Sequence, residues 1–140
     1  MSEPSHGRRM GRSILALVPG FFFVVILSLM TDVVFHALGI FPALAQPMSD
    51  GRPLLLATAY RTVYGVAGSY ITARLAPHLP MLHAMVGGAV GLVLATIGAV
   101  VTWNKGPAFG PHWYPLTLIM LALPQSWLAG FLQRKTRPEN

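Results

Sequence analysis

The sequence predicts an all-α membrane fold: a four-transmembrane-helix bundle, up-down-up-down, with both termini cytoplasmic. Three observations lead there. Of 140 residues, 54% are hydrophobic and only 10% are charged, whereas soluble domains carry about 25% charged residues. Four apolar segments each reach the roughly 20 residues needed to cross a hydrocarbon layer about 30 Å thick. The charges gather at the edges of these segments, so the formal net charge of +6 reads as membrane patterning and not as a nucleic-acid footprint. The whole chain, 1–140, is expected to be one transmembrane domain. There are no cysteines, which excludes disulfides, thiolate metal sites and cysteine nucleophiles.

The first helix is expected at roughly 13–38, around the run Phe21-Phe22-Phe23-Val24-Val25-Ile26-Leu27. The second, roughly 53–76, opens with Leu54-Leu55-Leu56, and the third, roughly 81–103, contains Gly91-Leu92-Val93-Leu94-Ala95. The fourth, roughly 113–132, is centred on Leu118-Ile119-Met120-Leu121-Ala122-Leu123. Helix is the state that satisfies every backbone group inside lipid. Gly39, Pro42, Pro47 and Gly51-Arg52-Pro53 mark a first loop; Pro77 and Pro80 bracket a short turn; Asn104-Lys105-Gly106-Pro107 and Gly110-Pro111 mark a third connection. Pro19 and Pro124 fall inside helices and each removes a backbone donor.

Orientation follows from basic residues near the helix ends. Arg8, Arg9, Arg12, Arg74, Arg134, Lys135 and Arg137 fall on one side, with Arg52 and Lys105 on the other. Seven against two puts both termini in the cytoplasm and opposes dual topology. Trp103, Trp113 and Tyr114 then collect at the outer interface. Ala43-Leu44-Ala45 before Gln46 resembles a signal-peptidase site. However, the apolar stretch before it, about 26 residues, exceeds the 7–15 of a signal core, and it contains Asp32 and His36. A retained first helix is expected.

Asp32 and Arg61 are the most informative residues. Charges near mid-membrane cost about 2.5–3.5 kcal/mol each on insertion scales, so they face protein or a wet cavity. Counting from the helix centres places both in the outer half at matched depth, which predicts an ion pair. That pair either pins the first helix to the second, or makes Asp32 a proton or cation site tuned by Arg61. His36 follows Asp32 by four residues and shares its helical face, so a hydrogen bond to Asp32 or to headgroups is expected. Tyr64, three residues after Arg61, reaches the same face, and Tyr60 adjoins it. A metal would need more ligands than His36, Asp32, Asp50 and His112 plausibly assemble; no metal and no cofactor are expected.

Small residues form the second pattern. Gly65, Gly68, Ser69 and Thr72 continue the face begun by Arg61, while Ala84, Gly87, Gly88, Gly91, Ala95 and Gly98 recur in the third helix. Such stripes let helix backbones approach closely. Joined by a short turn, helices two and three are expected to be the closest-packed pair, with a conduit lining or an oligomer face as the alternative use. Gln125, beside Pro124, needs a partner of its own. The catalytic motifs of serine hydrolases, zinc proteases, P-loops and dinucleotide folds are missing.

The segment Gly68-Ser69-Tyr70-Ile71-Thr72-Ala73-Arg74-Leu75-Ala76-Pro77, followed by Pro80-Met81-Leu82-His83-Ala84 and a glycine-rich helix, resembles small uncharacterised bacterial four-helix inner-membrane proteins. The likeness covers about 30 residues around one hairpin. It implies a multi-pass protein of the bacterial inner membrane and no assigned activity. Function is expected to be non-enzymatic, as an accessory or assembly component. The alternative is a small proton- or ion-coupled transporter or channel subunit using Asp32, His36 and Arg61. Expected partners are the lipid bilayer, with anionic headgroups at the basic tails, and a second copy or another membrane protein; nucleic acid is not expected.

Overall fold

The fold was taken from a computed structural model, which describes residues 6–137; the side chains of His6 and Arg9 lie outside that description, and with Arg9 one of the predicted tail charges. Four helices follow one another: α1 (His6–Ala37), α2 (Gly51–Leu75), α3 (Pro80–Thr102) and α4 (Trp113–Thr136), with a short 3-10 turn at Pro107–Phe109. No strand occurs among the described residues. α1 starts seven residues before the boundary read from hydropathy and carries Arg8 and Arg12 in its first two turns. Backbone hydrogen bonding continues past the edge of the apolar run, an edge that hydropathy alone detects.

Local chemistry sets the ends. Asp50 caps α2, its Oδ1 accepting from Arg52 N at 3.0 Å, as a short carboxylate does for an orphan first-turn donor. Leu79, at φ 46°, turns the chain sharply into Pro80 at the start of α3, where the missing N–H of proline is no loss. Within the helices, Thr31, Thr58, Thr62, Thr96, Thr102 and Thr117 each donate a hydroxyl to the carbonyl four residues earlier. Those bonds satisfy hydroxyls without water.

Three stretches are long and apolar enough to cross a membrane: Met10–Ala37, Pro80–Thr102 and Pro107–Thr136. α2 has the length, 25 residues, but not the apolarity. Its position explains this: α2 packs against α1, α3 and α4 alike, so its tyrosines, threonines and Arg61 meet other helices. Contacts fix the directions. Gly20 of α1 lies against Gly68 of α2, and Asp32 against Arg61, which makes α1 and α2 antiparallel. Ser126 of α4 lies against Gly88 of α3, and Gly130 against Met81, which makes α3 and α4 antiparallel too.

The packing inverts the soluble pattern. Among the described residues, eight of the ten buried apolar ones are alanine, whereas Leu15, Leu29, Met30, Val33, Val63, Val93, Val100 and Met120 are all more than half exposed. Large apolar side chains outside and small ones between helices are what a lipid solvent favours, because hydrocarbon exerts no hydrophobic force on leucine and close backbone approach gains dispersion contacts.

The expectation that helices two and three pack closest is corrected. The most extensive contact is α3 on α4, and α2 touches α1 and α4 more than it touches α3. A methyl group at Gly68 would strike Val24 and the Gly20 carbonyl; one at Gly65 would strike Gln125; one at Gly88 would strike Ser126. The hairpin turn keeps α2 and α3 adjacent, but their small residues face α1 and α4, whose own small residues (Gly20, Ala122, Ser126, Gly130) let those helices come nearer.

Close approach has a measurable consequence. Gly68→Val should lower stability in detergent by roughly 1–3 kcal/mol, the usual cost of overpacking. Gly98→Ala, with nothing within 4 Å of the added carbon, should leave the thermal unfolding midpoint unchanged or slightly raised.

Candidate functional site

α1 presents Gly20, Val24, Ser28 and Asp32 at intervals of four, with Thr31 beside them, so one helical stripe faces α2. Gly20 and Val24 allow α1 to lie on Gly68, and that approach brings the C-terminal half of the stripe to Tyr60, Arg61 and Tyr64. Arg61 Nη2 donates to Asp32 Oδ2 at 2.6 Å. Tyr60 donates its hydroxyl to the other carboxylate oxygen, Oδ1. The carboxylate is thus held by two elements of one helix turn. Tyr64 bonds Thr31 Oγ1 at 2.9 Å, one residue before Asp32. Tyr60 and Tyr64 rings are 5.7 Å apart, and the Arg61 guanidinium carbon lies 5.8 Å from the Tyr60 ring centre.

His36 does not join this cluster. Its Nδ1 is 2.8 Å from the Pro42 carbonyl, and its ring packs edge-on to Phe41. The chain leaves the helix after Ala37 and folds back, so a carbonyl six residues ahead reaches the imidazole. The hydrogen bond expected toward Asp32 or headgroups is therefore replaced by one that shapes the first loop. His112, another residue weighed as a ligand, stacks on Trp103 at 4.0 Å and meets the Trp103 carbonyl. Among the described residues, no three of the ligand type come together in a group that could hold a metal ion.

Beside the charged cluster lies a cavity of about 540 Å3, lined by all four helices. Arg61 is part of its wall, with Thr62, Gly65, Ser69 and Thr72 following along α2. α4 contributes Gln125 and Ser126; Ser126 bonds both Ser69 Oγ and the Ala122 carbonyl at 3.0 Å. The rest of the wall is mainly aliphatic and aromatic. Gly87 and Gly91 of α3 line it as well, but a methyl at Gly87 would sit 3.6 Å from Leu17, while one at Gly91 would meet nothing within 4 Å. The predicted small residues thus divide: Gly65, Gly68 and Gly88 are pressed against neighbouring helices, and Gly91 opens onto space.

Among the described residues, one buried side-chain donor stays unanswered. Arg61 Nε is buried without a hydrogen-bond partner. A guanidinium carries five N–H donors, and an unpaired buried one costs free energy comparable to a lost hydrogen bond. The sequence singled out Asp32, Arg61 and Tyr64; it gave Tyr60 a lesser place and passed over Thr31, Ser28 and Thr62. The signal for Ser28 was available in the four-residue spacing that ends at Asp32, and Thr31 lies three residues after Ser28, on the neighbouring edge of the same face.

No protein-family model matches this chain, and no curated protein and no solved structure matches it.

The Asp32–Arg61 contact should behave as a coupled unit. Asp32→Asn and Arg61→Gln should each lower stability in detergent by on the order of 3 kcal/mol, and the double mutant should lose clearly less than the two together. Thermal unfolding of the three variants and wild type checks this. Additive losses would mean that the two side chains act independently.

Proposed function

We propose that the chain is a four-span integral membrane protein with both termini cytoplasmic, and that it acts by binding a small molecule between its helices without catalysis. The observation that carries this reading is the open cavity walled in part by Arg61, the cationic partner of the ion pair. A site for a small molecule is concave, mostly apolar and furnished with few polar groups, typically in a space of about 300–1,000 Å3; this cavity falls inside that range. Several other polar side chains near it are engaged between helices: Asp32 with Tyr60 and Arg61, Tyr64 with Thr31, Ser69 with Ser126.

The four-span arrangement is supported by length and by charge. α2 lies among three helices apolar enough to cross a membrane, and its polar face is covered by them. Arg8, Arg12, Arg74, Arg134, Lys135 and Arg137 fall at one end of the antiparallel helices, with Arg52 and Lys105 at the other. By the positive-inside rule the first end is cytoplasmic.

An accessory or assembly role remains compatible with such a binding component. A proton-coupled transporter using Asp32 and His36 as a relay is less well supported, because His36 bonds Pro42 and both Asp32 oxygens are occupied by α2.

Since the chain has no cysteine, single introduced ones report sidedness directly. Ser49→Cys should react with an impermeant maleimide from the outer face, and Thr136→Cys only after the cytoplasmic face is exposed. The reverse pattern would overturn the orientation. For binding, adding back a total lipid extract to delipidated protein should raise Tm in wild type and not in Gly91→Leu, whose side chain would occupy the cavity. An equal rise in both would reduce the effect to bulk solvation.

A further inference from the structure

The cavity has a shape, an opening and one guanidinium in its wall, and together they define an occupant. Its wall on α1 extends from Ile14 to Ser28, about 20 Å along a helix at 1.5 Å per residue. A volume of about 540 Å3 spread over that length is a slot, matched to a chain more than to a compact solute. Arg61, Ser28 and Leu118 mark one end of the slot; Ile14 and Thr72 mark the other. With the cytoplasmic end defined by the basic residues, Arg61 stands at the outer end and the slot runs inward from it.

The slot opens sideways. Val18, Phe21 and Phe22 on α1, with Val90 and Leu94 on α3, line it and are each about half exposed. α1 and α3 touch where Leu17 meets Gly87, and they part toward Gly91, where a methyl would find nothing within 4 Å. An opening bordered by phenylalanine, valine and leucine faces hydrocarbon, so the occupant arrives from the bilayer.

Charge then selects the head. Asp32 and Arg61 already neutralise one another at 2.6 Å. An anionic head beside Arg61 would also lie close to the Asp32 carboxylate, and a cationic head close to the guanidinium; either repulsion is strong where water is scarce. What the site offers is not net charge but a donor: Arg61 lines the slot, and Asp32 engages its guanidinium through Nη2, one of the three nitrogens that carry its five N–H donors. Gln125, against Gly65 one turn along α2 from Arg61, offers a second polar contact on the same wall.

We infer that the slot binds a neutral long-chain lipid whose head carries carbonyl oxygens, with the head accepting hydrogen bonds from Arg61 and the chain lying inward between α1 and α3. The inference rests on the binding reading above and supplies its ligand class. Two membrane sources share that chemistry: the ester carbonyls of a diacylglycerol and the ring carbonyls of an isoprenoid quinone.

The test uses the full-length chain, delipidated in detergent, with five probes at equal concentration: dioleoylglycerol, a long-chain ubiquinone, oleate, oleylamine and squalene. Binding is read by native mass spectrometry and by the shift in Tm. The expected result is binding of dioleoylglycerol or ubiquinone, or both, with the comparison between them identifying the source, and weak or no binding of oleate, oleylamine and squalene. Gly91→Leu should abolish it. Gln125→Leu should weaken it by up to about tenfold, the equivalent of one hydrogen bond, and Arg61→Gln should weaken it further. Should Arg61→Gln fail to fold, Gln125→Leu and Gly91→Leu still decide the matter. Preferred binding of oleate or oleylamine that Gly91→Leu abolishes would overturn the neutral head and leave the cavity reading standing. Squalene binding as tightly as the carbonyl lipids would overturn the role of Arg61 as head contact. Binding that Gly91→Leu does not affect, or no binding of any probe, would overturn the cavity reading itself.

Discussion

Arg61 is in the middle of a helix whose neighbours are apolar, and it cannot face hydrocarbon without a large cost. Much of the arrangement follows from meeting that demand. Asp32 supplies the opposite charge from α1, Tyr60 holds the second carboxylate oxygen, and Tyr64 ties the next residue, Thr31. To bring these groups together, α1 must lie close on α2 over several turns. Gly20 and Gly68 make that approach feasible, since a side-chain carbon on either would collide with the other helix. The ion pair and the glycine contact are therefore two parts of one constraint, about three turns apart along α1 and about two along α2.

The same logic explains why α2 is the least apolar helix. Its polar residues meet α1 through Tyr60, Arg61 and Tyr64, and α4 through Ser69. α3 and α4 pack on each other where Gly88 meets Ala122 and Ser126 and where Met81 meets Gly130. α1 is held to α2 but diverges from α3, and the space left between them is the cavity. Its polar wall comes from α2 and α4; its apolar rim comes from α1 and α3. An amphipathic slot is the geometric result of one helix, α1, following α2 more faithfully than it follows α3.

Helix count, helix positions and the pairing of Asp32 with Arg61 were legible in the chain, because each depends on local hydropathy or on depth counted at a fixed rise per residue. Two readings failed for a common reason. His36 lies on the same helical face as Asp32, but face periodicity says nothing of a loop that folds back to place Pro42 within 2.8 Å. Gly88 and Gly68 were read as a contact between consecutive helices, but a stripe of small residues states only that something comes close, not which helix does. Gly20 on α1 is the neighbour of Gly68 and Ser126 on α4 the neighbour of Gly88, so each stripe turns away from the hairpin partner and toward the helix on its other side.

By itself, the sequence determined the helical class, three of the four segments it read as long and apolar enough to cross a membrane, the segregation of basic residues to one end, and the need of two charges for each other. These are properties of short windows, where hydrogen bonding within a helix and transfer from water act residue by residue. Only the tertiary structure decided which helices pack tightly, where a space is left between them, and which donor on Arg61 goes unanswered. Those outcomes depend on the volumes of side chains from all four helices meeting at once, and that sum has no signature in any single window.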